Sequence, residues 1–214
     1  MIILGTNSIK DTGFDVANSC RFNDGSSDTL SINMSTSANR RTFTFSTWVK
    51  KTKLTGSMNL LGTGGSSDQN HLQYESSPLT FRHYNGSAND IRVSTSRQFR
   101  DPSAWHHIIL AVDTTQGTAA NRVKIYVNGV QETSFEEATY PDQNYDWDFF
   151  QNGSTTYIGR RGHDDAVHFD GYLAETVFVD GTALDETSFG EFDEDTGIWK
   201  PIDVSGLTFG TNGF

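Results

Sequence analysis

The chain has 214 residues, and its 27 acidic against 16 basic residues give a formal net charge of -11. That balance argues against nucleic acid, whose phosphates attract clustered Lys and Arg, while 12% aromatic residues exclude intrinsic disorder. No apolar run approaches the ~20 residues of a membrane-spanning helix. With 4 Pro, 20 Gly and a polar fraction rich in Ser, Thr and Asn, the composition suits a β-rich, turn-rich chain. The single cysteine, Cys20, excludes an intrachain disulfide and a Cys-based zinc site, and reads as a small apolar core residue. Met1 to Leu4 starts the chain apolar but without the basic n-region and h-region of a signal peptide. A protein that stays in the cytoplasm, or leaves a cell by assembly rather than secretion, is therefore expected.

Period-two alternation recurs along the chain. Phe43, Phe45, Thr47 and Val49 share one face of a strand, with Thr44, Ser46 and Trp48 on the other. Leu79, Phe81 and His83 alternate with Thr80, Arg82 and Tyr84, and Ile91, Val93 and Thr95 continue the pattern. Ile108 to Val112 is apolar on both faces, as a central strand of a two-layer structure requires. Val123, Ile125 and Val127 lead into Asn128-Gly129, which accepts the positive φ angles of a type I′ turn and predicts a hairpin returning at Val130. Thr155 to Arg160 and Phe169 to Asp180 supply further strands, and Asp185 to Phe192 predicts one helical turn capped by Asp185. The expectation is an all-β, two-sheet antiparallel sandwich. It comprises an N-terminal extension over 1–19, one domain over 20–205 and a C-terminal strand or tail over 206–214 that leads into a longer parent.

Phe43-Thr44-Phe45-Ser46-Thr47-Trp48-Val49-Lys50, Asp101-Pro102-Ser103-Ala104-Trp105-His106-His107-Ile108 and Ile125-Tyr126-Val127-Asn128-Gly129 stand in an order and spacing that resemble a known pattern. It is the laminin-G-like, pentraxin-like branch of the concanavalin A-like lectin/glucanase superfamily. Tyr157-Ile158-Gly159-Arg160 and Phe169-Asp170-Gly171-Tyr172-Leu173-Ala174-Glu175 fit its later strands. The resemblance implies a jelly roll with one concave sheet. With Leu184 to Glu191 and Asp195 to Pro201, the C-terminal third looks like the version found in virion proteins of marine bacteriophages, such as tail fibres and attached appendages. It implies a structural or adhesive module located on the virion. Its partners would be other virion proteins, further copies of itself and host-surface glycan.

Superfamily glucanases place acids at alternate positions of one strand, and Glu191-Phe192-Asp193-Glu194-Asp195 superficially offers that spacing. Here the run follows a helix-like turn and reads as a solvated loop, so no catalytic residue is assigned. His106 and His107 would point to opposite faces and cannot share a metal. Trp48, Trp105, Phe45 and Ile109 are assigned to packing. The loop Tyr140 to Phe150 combines acids, an amide and aromatics, and with the loop Gly162 to Asp165 it yields the ligand-binding candidates Tyr145, Trp147, Asn144, His163 and Asp164. The alternative is that these aromatics fold back as a lid on the sandwich end or meet another protein. Asp142, Asn144, Asp146 and Asp148 fall at every second position, the oxygen spacing with which a loop wraps calcium, and Asp164 or Asp165 would complete such a site. Three functions follow in order: a non-catalytic structural or adhesive virion module, a carbohydrate-binding lectin module, and a glycoside hydrolase. At least one of the apolar ends, Met1 to Leu4 or Thr208 to Phe214, is expected to pack on another chain or a symmetry mate.

Overall fold

The computed structural model describes residues 14–214, so Met1 to Leu4 lies outside the described residues. The alternating segments form β1 (Cys20–Phe22), β2 (Leu30–Asn33), β3 (Thr42–Lys51), β4 (Ser57–Gly65), β5 (Asp68–Glu75), β6 (Leu79–Tyr84), β7 (Asn89–Thr95) and β8 (His106–Asp113). After them come β9 (Val123–Val127), β10 (Val130–Gln131), β11 (Phe135–Thr139), β12 (Thr155–Ile158), β13 (Gly171–Asp180), β14 (Gly190–Phe192) and β15 (Trp199–Pro201). They build a six-stranded sheet, ordered β1-β13-β3-β8-β9-β10, and a seven-stranded sheet, ordered β11-β7-β6-β5-β4-β12-β2. Neighbouring strands run antiparallel. This is the expected all-β jelly-roll sandwich. Among the described residues no helix is long and apolar enough to cross a membrane.

The main core lies between the sheets. Phe43, Phe45 and Val49 from β3 and Ile108, Leu110 and Val112 from β8 meet Leu72 and Tyr74 from β5 and Phe81 from β6. The two-sided apolarity of β8 has a reason beyond its central place. Ile109 and Ala111 face outward and, with Tyr126, Val177 and Val179, are covered by Phe189, Leu184, Val204, Leu207 and Phe209. The segment after β13 thus forms a third layer on the six-stranded sheet. Thr44 fixes its entry, accepting from Leu184 N and donating to the Thr182 carbonyl, both at 2.8 Å.

The Asn-Gly turn forms as expected, with φ of 49° at Asn128 and 75° at Gly129 and Val130 opposite Val127. A Cβ on Gly129 would stand 2.2 Å from the Trp199 ring, so the glycine also seats the third layer. Asp185 caps a single 3-10 turn, Glu186–Ser188, shorter and earlier than expected. Glu191 and Phe192 belong to a β14–β15 hairpin rather than to a loop, which confines the solvated turn to Asp193 onward.

The C-terminal segment docks on its own chain: Phe178 and Phe214 exchange backbone hydrogen bonds at 2.9 and 3.0 Å, and the Phe214 ring meets Phe150 and Phe178 while staying 40% exposed. Two other expectations change. Cys20 is exposed, because β1 is an edge strand. Trp105 is 37% exposed, standing just before β8 rather than within the sandwich. Together with Trp48, Ala174, Pro201, Val16 and Ala17 it lines a cleft of about 350 Å³ on the six-stranded sheet.

Candidate functional site

Strand β5 carries an unusual stripe. Leu72 and Tyr74 enter the core, so Gln69, His71, Gln73 and Glu75 project from the opposite, outer face of the seven-stranded sheet. Register aligns them with similar neighbours. One row runs Gly62, His71, Arg82, Arg92 across β4 to β7, and the next runs Asn59, Gln73, Thr80, Ser94. This outer face is polar, yet Asn59, His71, Gln73, Thr80 and Ser94 are buried.

The loop after β12 provides part of the cover. Asn59 N donates to the Val167 carbonyl at 3.1 Å, and a Cβ on Gly62 would lie only 2.6 Å from the Arg160 carbonyl oxygen. Only a glycine floor lets the loop approach this closely. The loop brings Arg161, His163 and Asp164 into the electrostatic surroundings of His71.

Hydrogen bonds fix the floor. Asn59 Nδ2 donates to His71 Nδ1 at 3.0 Å, so His71 Nε2 carries the proton and donates to Gln69 Oε1, also at 3.0 Å. Gln69 Nε2 continues the chain to the Ser66 carbonyl at 3.2 Å. Burial, assisted by the positive Arg82 and Arg161, depresses the His71 pKa to about 3. His71 is therefore a neutral, oriented imidazole at ordinary pH. Above it, Arg92 meets Glu75 at 2.5 Å and Glu137 at 3.1 Å, and Arg161 forks onto Asp164 at 2.8 and 2.5 Å. Arg161 also holds the Asp164 carboxyl below the usual carboxylate range.

Of the residues singled out from sequence, His163 and Asp164 stand at this face and the others do not. Trp147 is fully buried, packed against Phe81, Tyr145 and Phe149. Its reading as a solvent-facing ligand platform is corrected: the aromatics fold back into the sandwich. Tyr145 is half-buried, its ring beside His83, with burial pushing its hydroxyl pKa up. Asn144 and Asp142 are exposed; the Asn144 N–H donates to the Thr114 carbonyl at 2.8 Å, and the Asp142 carbonyl accepts from Tyr145 N at 3.2 Å. Asp146 pairs with Arg41 at 2.8 Å and Asp148 with Arg40. Asp146 and Asp148 thus serve two arginines, and among the described residues no group of three or more His, Cys, Asp or Glu is placed to hold a metal ion.

The acids considered for glycoside hydrolysis are likewise engaged. Lys200 pairs with Glu191 at 3.2 Å and Asp193 at 3.4 Å. Hydrogen bonds from the Thr196 hydroxyl and N–H, with Lys200 alongside, hold the Asp193 pKa down to about 2. A general acid needs its pKa raised toward the working pH, the opposite shift.

The sequence profile of the concanavalin A-like lectin/glucanases superfamily matches residues 24–187. The chain belongs to that superfamily. Among solved structures, this superfamily member is similar to a proposed carbohydrate-binding protein from Bacteroides ovatus. The identity there is 18% and the TM-score 0.53, covering 81% of this chain and 46% of that one. It is also similar to the CBM40 of the Ruminococcus gnavus IT-sialidase, at 13% identity and TM-score 0.51, over 75% of this chain and 95% of that one. The native heptameric SAP-like pentraxin from Limulus polyphemus gives 18% identity and TM-score 0.48, over 73% and 70%. At these identities the likeness is one of fold. No curated protein sequence matches the chain.

Proposed function

We propose that this superfamily member is a non-catalytic recognition module of a bacteriophage virion that binds glycan on the outer face of its seven-stranded sheet. The observation that carries the reading is the hydrogen-bonded row Asn59, His71, Gln69, with Gln73 beside it, lying under the half-buried Arg82, Arg92 and Arg161. Sugars are recognised by donors and acceptors held in place before binding, because ordering them afterwards costs affinity. The virion location rests on the resemblance of the C-terminal third.

A printed glycan array tests the reading. The wild-type domain is expected to retain a defined subset of glycans, with retention reduced at least severalfold in His163→Ala and Gln73→Ala. Retention should be equal in calcium and in chelator, since Asp146 and Asp148 are paired with arginines. No retained glycan at tens of micromolar protein would remove the proposal.

A second reading, assembly with other virion proteins or further copies, is favoured by the half-open cleft that Trp105 and Trp48 line on the opposite sheet. Trp105→Ser is then expected to lower the sedimentation-derived mass, or co-purification with virion proteins, without changing the melting temperature. Unchanged association would count against that surface.

A further inference from the structure

We infer that the ligand of this face carries an anionic group, a carboxylate or a sulfate ester, which docks on Arg82. The inference rests on the glycan reading above and specifies its chemistry. Three guanidiniums, those of Arg82, Arg92 and Arg161, gather on this face, and two of them are held closely by carboxylates. Arg161 forks onto Asp164, and Arg92 holds Glu75 and Glu137.

Arg82 differs. Among the described residues it makes one hydrogen bond, from Nη1 to the neutral amide oxygen of Asn89 at 3.2 Å. Glu75 stays 3.7 Å away, and Nε is buried with no partner. Glu75 cannot easily serve it better, because Oε2 is taken by Arg92 and Oε1 accepts from Gln73 Nε2 at 2.8 Å. His71 offers nothing either: its Nδ1 is occupied by Asn59 and its Nε2 proton goes to Gln69. Acceptors and guanidiniums in the cluster balance in number, but the geometry assigns the acceptors to Arg92 and Arg161.

A guanidinium has five N–H donors in a planar fork, and bonds to a charged acceptor are roughly twice as strong as bonds to a neutral one. The Arg82 side chain is 18% exposed, so a ligand can reach its outer edge. A sugar hydroxyl there would accept one N–H and leave the crowding by Arg92 and Arg161 unrelieved. A carboxylate or sulfate would accept two and offset that repulsion.

Calorimetric titration with oligosaccharides of equal length separates the sources: one bearing uronic-acid carboxylates, one bearing sulfate esters, one neutral. At least one anionic probe is expected to bind about tenfold more tightly than the neutral one. The advantage should shrink when salt rises from about 0.05 M to about 0.5 M. Arg82→Gln is expected to lose about tenfold toward the preferred anionic probe, and Arg82→Lys to restore only part, since an ammonium lacks the fork. Lys124→Gln, on β9 of the other sheet, should bind as wild type does. Equal wild-type affinity for anionic and neutral probes would overturn the inference while leaving glycan binding in place. Failure of all three probes would remove both. If Arg82→Gln does not fold, the selectivity and salt response of the wild type decide.

Discussion

Lowering the pH from neutrality to about 5 is expected to remove about 4 kcal/mol of stability, and with it about 10 °C of melting temperature. Two buried histidines are responsible. His71 and His107 each have their pKa depressed to about 3 by burial. Unfolded, each titrates near its ordinary value of 6.5. The stability tied to their neutral forms is complete above about pH 6.5 and is lost as pH falls toward 3, because the unfolded chain takes up protons that the folded one refuses. The bonding shows why it refuses. Trp199 Nε1 donates to His107 Nδ1 at 2.9 Å, leaving His107 Nε2–H to donate to Ser46 Oγ at 2.8 Å. In both rings Nδ1 is already an acceptor, so a second proton must break a buried hydrogen bond. Thermal melts across pH 4.5 to 8 check this, and His107→Leu should show roughly half the acid slope of wild type. A melting temperature that is flat down to pH 5 would defeat the argument. On the alkaline side a second rise of the same sign is expected from Lys51, buried with its Nζ on the Ser76 and Phe99 carbonyls and depressed to about 8 by burial. Stability should climb from about pH 8 toward 10.5, where only the unfolded chain keeps that proton.

Trp147→Ala is expected to destabilise the domain by about 3–5 kcal/mol, the range for deleting a large aromatic from a packed core. Its ring sits 4.4 Å from that of Phe81 and 5.0 Å from that of Tyr145, centroid to centroid, and none of it is exposed. Surrounding strands cannot close over a void of that size without breaking their register. Trp105→Ala, at 37% exposure, should cost far less. Chemical denaturation of the two variants side by side provides the check. A near-wild-type Trp147→Ala that had lost glycan binding would restore the reading of that indole as a ligand platform.

The same contrast shows what could be read from the residues alone. Alternation in β3, β6, β7 and β9 was legible because a two-faced strand must alternate, and Asn128-Gly129 was legible because few dipeptides accept two positive φ angles. Asp146-Trp147-Asp148 was misleading although it follows the same rule. The acids point out to Arg41 and Arg40 while the indole points in, and acids flanking an aromatic resemble a solvated loop. The outer face of the seven-stranded sheet was hidden for another reason: Asn59, His71, Arg82, Arg92 and Arg161 lie on different strands and a loop, and only register brings them together. The available signal was the period-two polar stripe Gln69, His71, Gln73, Glu75 beside Leu72 and Tyr74, polar where a solvated face would not need such uniform hydrogen-bonding groups.

The third layer also bears on where a working fragment can be cut. The superfamily match ends at residue 187, yet Phe189, Val204, Leu207 and Phe209 shield Ile109 and Val179 beyond that point. A graft that stopped at the matched boundary would bare an apolar sheet face and invite aggregation. Transplanting this module onto another scaffold therefore means carrying the stretch that follows β13 along with it.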